Sequence, residues 1–217
     1  MLIDICVHRE EVMGISNTDV IVFDAMGVIF EEGDDTNNLL IPFIERECAY
    51  TDRSTVHHLY MEASLGHISS KEFWEQVGGD YPAIERRYLD TQLTLDPDLL
   101  PVTEQLKGRY TLAILSNDVS EWSVYLRHKF HLDRLFTTSI ISGDYGYRKP
   151  DRHLYDILLK SLSAAPRRCI FIDDQPKNLL TACRLGMKTM LMSRVATAPP
   201  CNCDYEIHTL RDVITLL

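Results

Sequence analysis

Several features that would assign this chain to a particular class of protein are scarce or missing. No apolar run in its 217 residues approaches the roughly 20 residues of a membrane-spanning helix. Its first residues carry acids where a secretory signal has a basic stretch. The six cysteines are scattered, and a chain of this length needs no disulfide staples, so we expect reduced thiols. We therefore expect a cytoplasmic protein.

Positive charge is also scarce. Lys and Arg number 22 against 32 Asp and Glu, which gives a formal net charge of −10. Because nonspecific binding to nucleic acid or to an anionic membrane needs a basic surface, we expect neither as a partner. Hydrophobic residues, in contrast, make up 45% of the chain, enough for one mid-sized domain, alone or carrying an insertion.

Short apolar runs alternate with helical patterns along most of the chain. Near-continuous apolar runs are typical of parallel strands that are buried on both faces. Their alternation with helices predicts an α/β fold, a Rossmann-like doubly wound parallel sheet. The six predicted strands are Asp19–Asp24, Thr111–Ser116, Thr137–Ser142, Cys169–Asp173, Lys188–Met192 and Tyr205–His208. The predicted helices of this part are Pro97–Gly108, Val119–Phe130, Arg152–Leu162, Pro176–Leu185 and Thr209–Leu216.

Residues 31–96, here called the helical insertion, contain no strand-like run. We expect residues 1–30 and 97–217 to form the core domain, and the insertion to form a cap with a small core of its own. Its four predicted helices, the first of which Pro42 could kink, are Asn37–Cys48, Ser54–Leu65, Ser69–Val77 and Pro82–Gln92. The residues expected in its core are Leu40, Phe43, Ile44, Leu59, Tyr60, Phe73 and Trp74.

Polar side chains fall at the carboxyl ends of several predicted strands. Asp24 ends the first strand, Ser116 and Asn117 end the second, and Asp173 and Asp174 end the fourth. One such residue alone could simply cap the helix that follows. Ligands of doubly wound sheets, however, bind beyond the carboxyl ends of the strands. Several polar strand ends together therefore favour a functional site at this edge.

Four sequence motifs, in order, resemble those of the haloacid dehalogenase-like (HAD) hydrolase superfamily, in its C1-capped subfamily I form. They are FDAMGV at 23–28, LSND at 115–118, GYRKPD at 146–151 and FIDDQPKN at 171–178. The resemblance covers residues 19–217, and the helical insertion lies where that family has its C1 cap. It implies a hydrolase that acts on a small phosphorylated substrate. We expect a monomer or a homodimer.

The resemblance also implies roles for single residues. Asp24 would attack phosphorus and form an aspartyl-phosphate, which replaces one difficult displacement by two easier ones. Lys149 would supply a fixed positive charge to the phosphoryl oxygens. Ser116 and the backbone N–H of Asn117 would donate hydrogen bonds to them. We expect Arg148 to point elsewhere and to be structural.

A carboxylate and a phosphate repel each other, so the reaction needs a cation between them, and oxygen ligands suit Mg²⁺. The resemblance implies that Asp24, Asp174 and the backbone carbonyl of Met26 bind this ion. Asp173 would bind it through water or support the direct ligands. We expect Asn178 to orient Asp174.

The chain departs from the family's phosphatases at Met26, where they carry an aspartate that protonates the leaving group and then activates water. Methionine does neither, and such catalysis is worth about 10²–10⁴-fold. Three hypotheses remain. The first is a magnesium-dependent phosphatase whose leaving group is good or whose proton comes from elsewhere, and the second is a 2-haloacid dehalogenase, since Tyr155 resembles a tyrosine of that branch. The third is a weakly active or inactive relative that binds a phosphorylated ligand or a partner. We favour the phosphatase, because without a metal Asp173 and Asp174 would repel an anionic substrate.

Overall fold

The computed structural model describes residues 18–48, 50–194 and 202–217. The amino-terminal residues that argue against a secretory signal lie outside these ranges. Within them, six strands form one sheet, and each agrees with its predicted range to within one residue at either end. The strands are β1 (Val20–Phe23), β2 (Thr111–Ser116), β3 (Thr138–Ile141), β4 (Cys169–Asp173), β5 (Lys188–Met192) and β6 (Tyr205–Ile207).

The strand order is β3–β2–β1–β4–β5–β6, and every neighbouring pair is parallel. The chain winds outward from β1 through β2 to β3, then crosses to β4 on the other side of β1, which confirms the doubly wound α/β fold. Ligands bind where the winding reverses, here between β1 and β4. Phe23 pairs with Ile172, so Asp24 and Asp173 leave these two strands side by side.

The described part of the helical insertion holds four α-helices: α1 (Ile41–Glu47), α2 (Arg53–Ser64), α3 (Ser70–Gln76) and α4 (Ala83–Thr91). The first is shorter than predicted because a π-helical turn, Thr36–Leu40, precedes it. Pro42 lies in the first turn of α1, directly after the π-helical turn, and the Ile41 N–H donates to the Thr36 carbonyl. The helical path is therefore continuous from Thr36 to Glu47, and the irregular turn lies just before the residue that has no N–H to donate.

The remaining helices cover both faces of the sheet: α5 (Leu99–Leu106), α6 (Ser120–Lys129), α7 (Ser142–Tyr145), α8 (Arg152–Leu162), α9 (Pro176–Leu185) and α10 (Arg211–Leu216). The short α7 was not predicted. Because side chains alternate along a strand, Ile21 and Phe23 of β1 join one buried cluster and Val20 and Val22 the other. No helix in the described ranges has both the length and the apolar character needed to cross a membrane.

The helical insertion packs directly on the rest of the fold. All seven residues expected in its core are buried, but they belong to the same apolar cluster as Ile21 and Phe23. Trp74 and Tyr88 of the insertion share Trp122 of α6, at ring-centroid distances of 5.8 and 5.4 Å. The expectation of a separate core was therefore wrong. Four short helices bury too little apolar surface among themselves, so they pack against the core domain.

Candidate active site

A cavity of about 340 Å³ lies at the carboxyl edge of the sheet, between the strand ends and the helical insertion. Seven residues to which the sequence analysis gave a role at the site line it, and an eighth, Asp173, lies in contact with Lys149. The seven are Asp24, Met26, Ser116, Asn117, Lys149, Asp174 and Asn178. The structure therefore brings the predicted site residues together at the edge where the fold positions ligands.

Lys149 is buried between two carboxylates. Its Nζ lies 2.6 Å from Asp24 Oδ1 and 2.8 Å from Asp173 Oδ2, and its side chain is only 1% exposed. Burial alone would lower the pKa of Lys149, but the charges of Asp173 and Asp24 outweigh it and raise that pKa. The ammonium group thus remains charged and provides a fixed cation beside Asp24.

Asn117 fixes the backbone of Lys149. Asn117 Nδ2 donates to the Lys149 carbonyl at 3.0 Å, and the Lys149 N–H donates to Asn117 Oδ1 at 2.7 Å. This pair of hydrogen bonds joins the loop after β2 to the loop before α8. Sequence reasoning considered only the Asn117 backbone N–H, because nothing in the sequence indicated a partner 32 positions away.

Both carboxylate oxygens of Asp173 accept hydrogen bonds from protein groups. Its Oδ1 accepts from the Gln175 N–H (2.7 Å) and Asn178 Nδ2 (3.1 Å), and its Oδ2 accepts from Lys149 Nζ (2.8 Å) and Asn178 Nδ2 (3.0 Å). A carboxylate has about four acceptor positions, and all are used here. Asn178 was expected to orient Asp174; instead it holds Asp173, because the first turn of α9 packs against the end of β4.

Asp24 has a less complete set of partners. Ala25 N–H, at 2.6 Å, and Lys149 Nζ both contact Oδ1, and Oδ2 receives no hydrogen bond from the described residues. Burial and the charge of Asp173 raise the pKa of Asp24 well above its usual range, against the opposing effect of Lys149. Burial and the charge of Asp173 likewise raise the pKa of Asp174, to about 6. The negative charges of this site therefore exceed what Lys149 neutralises.

One oxygen from each of Asp24, Asp173 and Asp174 lies within 4.8 Å of the others. Such an oxygen-only set suits a hard divalent cation such as Mg²⁺. The insertion begins directly beside it: a Cβ on Gly33 would lie 2.3 Å from Asp174 Oδ2. A larger residue at this position would require the Asp174 carboxylate to move.

Ser116 presents a buried hydroxyl that lacks a partner. The residue is 1% exposed, and its Oγ receives and donates no hydrogen bond among the described residues. Leaving a buried polar group unpaired costs about 1–3 kcal/mol. Because Ser116 lines the cavity, an oxygen of a bound ligand could satisfy this hydroxyl.

One expectation fails at the cavity wall, that Arg148 points elsewhere. Arg148 lines the cavity: its guanidinium lies 5.5 Å from the Tyr60 ring centroid and donates to Ser64 Oγ. The aromatic face attracts the cation to the boundary between core and insertion. Tyr155, which resembles a dehalogenase tyrosine, does not line the cavity; it is fully buried and donates to the Asn178 carbonyl at 2.9 Å.

Two further residues near the site were not singled out from the sequence. Asp35, from the insertion, lines the cavity and is only 7% exposed. Arg194, which follows β5, donates to the carbonyls of Gly27 (3.0 Å) and Val28 (3.2 Å) and pairs with Asp96 at 2.7 Å. Arg194 thereby fixes the loop that follows Asp24. Neither residue lies in a recognisable motif, so no sequence signal distinguished them.

A family model described as haloacid dehalogenase-like hydrolase matches residues 18–186, most of the chain. The chain belongs to the haloacid dehalogenase-like hydrolase family. It is therefore a hydrolase, as the motifs predicted.

Individual HAD proteins are similar at low identity. The sesquiterpene phosphatase astK of Aspergillus oryzae is 24% identical over 175 residues, which cover 76% of this chain and 85% of that protein. A HAD phosphatase from Thermococcus onnurineus has a TM-score of 0.71 at 20% identity, covering 91% of this chain and 97% of that one. A HAD family enzyme from Bacteroides thetaiotaomicron, solved with magnesium and inorganic phosphate, has a TM-score of 0.70 at 17% identity, covering 81% and 94%. The two structures share the fold of this HAD hydrolase.

Proposed function

We propose that this HAD hydrolase is a magnesium-dependent phosphatase that acts on a small phosphorylated metabolite through an aspartyl-phosphate at Asp24. The observation that carries the proposal is the clustering of Asp24, Asp173 and Asp174 oxygens within 4.8 Å of one another. An anionic substrate enters such a site only with a cation. The Aspergillus relative, named a phosphatase, and the Bacteroides structure with magnesium and phosphate support this assignment.

The metal ligands would be Asp24, Asp174 and the backbone carbonyl of Met26. Asp173 has its acceptor positions filled by protein donors, so it would support the direct ligands by holding Lys149. When bound, Mg²⁺ would neutralise charge between the nucleophile and the phosphoryl group.

The other residues bind and orient the phosphoryl group. Asp24 attacks phosphorus while the leaving oxygen departs, and water then attacks the aspartyl-phosphate to release phosphate. Lys149 stabilises the negative phosphoryl oxygens without rearranging, because Asn117 already fixes its backbone. Ser116 donates its hydroxyl to a phosphoryl oxygen, which gives that buried group its partner.

We further propose that residues 31–96 act as a C1-type cap that contacts the leaving group. They contribute Gly33, Asp34, Asp35, Thr36 and Tyr60 to the cavity wall. A cavity of about 340 Å³ suits a small molecule.

Three expectations from the sequence stay predictions. They are a cytoplasmic location, the absence of nucleic-acid and membrane partners, and a monomeric or homodimeric state.

The test is hydrolysis of p-nitrophenyl phosphate with Mg²⁺ and with EDTA. We expect activity with the metal and its loss on chelation.

Asp24→Asn should abolish turnover with little loss of stability, since the amide keeps the shape of the carboxylate but is not a nucleophile. Asp156→Asn, the same change in an exposed ion pair of α8, should retain activity. Turnover by Asp24→Asn would contradict the covalent route, and activity that persists in EDTA would contradict the metal requirement.

One observation favours a second candidate, a 2-haloacid dehalogenase. Met26, at the position where the phosphatases carry an acid, lines the cavity, and halide leaves without a proton. Halide release from a 2-haloacid in EDTA would establish this function. Binding of phosphate with neither activity would instead establish the inactive relative.

A further inference from the structure

Few groups in the cavity are able to supply the proton that Met26 cannot. Among the described residues, four lining side chains are carboxyls: Asp24, Asp34, Asp35 and Asp174. Asp24 and Asp174 belong to the proposed nucleophile and metal site, and Asp34 is exposed to solvent. Asp35 is the remaining one, and it is buried.

The cavity wall also carries one phenol and two ammonium groups, those of Tyr60, Lys149 and Lys177. Lys177 is exposed to solvent, as Asp34 is, and the other two are poor proton donors. Lys149 is held between Asp24 and Asp173, whose charges raise its pKa. The Tyr60 hydroxyl donates to the Asn117 carbonyl at 3.4 Å, and burial raises its pKa well above 10. Neither group gives up a proton readily at neutral pH.

Asp35 lies on the part of the cavity wall that the insertion forms. The backbone of Gly33 runs against Asp174, since a Cβ there would lie 2.3 Å from Asp174 Oδ2. Two residues of extended chain span at most about 7 Å, so Asp35 lies within that reach of Gly33. In-line phosphoryl transfer places the leaving oxygen opposite the attacking one. Asp24 attacks from the strand end, so the leaving oxygen points toward the insertion, which carries Asp35.

We propose that Asp35 is the general acid and base of this enzyme, replacing the acid that is absent at Met26; the inference rests on the proposed phosphatase function. In the first step an Asp24 oxygen bonds to phosphorus, the bond from phosphorus to the leaving oxygen breaks, and the Asp35 proton moves to that oxygen. In the second, water attacks phosphorus, the Asp35 carboxylate takes a proton from it, and the bond to Asp24 breaks. Phosphate leaves, and both residues return to their starting forms.

The surroundings of Asp35 suit a group that both gives and takes a proton. Burial raises the pKa of Asp35 to about 7, where the hydrogen bond from the Thr36 N–H and the charge of Arg148 only partly oppose it. An acid–base catalyst works best when its pKa lies near the working pH. The ionisable groups that interact with Asp35 are Glu32 and Asp34 on its own segment, Tyr60 and Tyr88 in the insertion, Asp118 after β2, and Arg148 before α8.

The experiment compares two leaving groups in the full-length protein with Mg²⁺. Asp35→Asn should lower the turnover of butyl phosphate by about 10²–10⁴-fold, because the alkoxide must be protonated to leave. With p-nitrophenyl phosphate, the variant should still release a stoichiometric burst of nitrophenol and then turn over slowly, because only the second step needs the base. Asp80→Asn, the same change at an exposed residue of the insertion away from the cavity wall, should leave both rates within about threefold, well under the size of an acid–base effect.

Two further measurements separate catalysis from structure. Adding Met26→Asp to Asp35→Asn should restore much of the butyl phosphate activity, which a merely structural role of Asp35 would not allow. In wild type, the rate with butyl phosphate should fall as pH rises through about 7, while the nitrophenol burst should not. These two pH profiles of the wild type test the role of Asp35 even if Asp35→Asn fails to fold. Identical pH profiles for butyl phosphate turnover and for the nitrophenol burst would overturn the proposal.

Different results would overturn the phosphatase function and the role of Asp35. A wild type that hydrolyses neither phosphate with Mg²⁺ overturns the phosphatase function, and the role of Asp35 with it. A wild type that hydrolyses both, together with an Asp35→Asn variant that slows both first steps equally, overturns the role of Asp35 alone.

Discussion

Buried polar residues at this site differ in how completely their hydrogen bonds are satisfied. The carboxylate of Asp173 accepts from three different residues, whereas Ser116 Oγ has no partner among the described residues. An unpaired buried polar group is a cost to folding that native proteins rarely retain without a reason. Asp173 therefore serves the structure of the site, and Ser116 is held ready for a ligand.

This contrast predicts that Ser116→Ala separates activity from stability. No hydrogen bond is lost, so the melting temperature should stay the same or rise, while turnover should fall by up to about 10²-fold through loss of a donor to the phosphoryl group. Thr103→Val is the matched control, because the buried Thr103 hydroxyl donates to the Leu99 carbonyl at 2.7 Å. That change should cost about 1 kcal/mol of stability and leave activity intact. A destabilised Ser116→Ala with normal turnover would contradict the assignment.

The sequence was informative about single residues only where a strand end or a motif placed them. Asp24, Ser116 and Lys149 were found in this way. Asp34 and Asp35 are adjacent and chemically identical, yet one is exposed and the other buried. That difference depends on how the chain turns past Asp174, which local sequence does not encode.

Entire elements were easier to predict than their contacts. The strands agree within a residue because each is one short apolar run, and α8 and α9 agree to the residue. The π-helical turn before α1 was missed because an apolar periodicity does not distinguish it from an α-helical turn. The contacts between the insertion and the core join residues far apart in the chain, such as the Ser142 hydroxyl and the Ser64 carbonyl at 2.5 Å.

A close backbone approach between insertion and core predicts that Gly66→Ala disturbs the packing of the insertion on the core. A Cβ on Gly66 would lie 2.3 Å from the Gly143 carbonyl oxygen, and the φ of Gly66 is +71°. Because a backbone atom blocks the new carbon, we expect a loss of about 1–3 kcal/mol in unfolding free energy and a higher KM. Gly108→Ala is the control, since its Cβ would meet nothing within 4 Å. Equal effects of the two changes in denaturant titrations and kinetics would refute this account.

The loop after β1 depends on Arg194, so Arg194→Met should loosen the segment that carries Asp24. The change removes donors to Gly27 and Val28 and leaves Asp96, whose side chain is 5% exposed, without its cation. We expect a loss on the order of 3 kcal/mol together with lower turnover. Arg211→Met removes a comparable pair with Asp98, but the Arg211 side chain is 72% exposed, so it should cost less than about 1 kcal/mol. Similar losses in both variants would mean that Arg194 has no special role.

For the whole molecule, the boundary between insertion and sheet carries more buried acid than base. Burial raises the pKa of Asp118 to about 8, and the charge of Asp35 adds to this effect. Both carboxyls bind a proton more tightly in the folded than in the unfolded chain, so the folded state carries more protons between about pH 4 and pH 8. Their contribution to stability is therefore fully present below pH 4 and is lost as the pH rises toward 8.

The protein should accordingly melt at a higher temperature near pH 5.5 than near pH 8.5. Exposed carboxyls with a lowered pKa, such as Asp52 and Glu72, have the opposite sign but titrate below this window. Asp118→Asn should shrink the difference by several degrees, at about 2–4 °C per kcal/mol for a chain of this size. The amide cannot ionise, and it can still accept the hydrogen bond from the Val119 N–H. Asp133→Asn, at a side chain 62% exposed, should leave the difference unchanged. A melting temperature that rises with pH in wild type would mean that other groups outweigh these acids and that the boundary is better solvated than its burial implies.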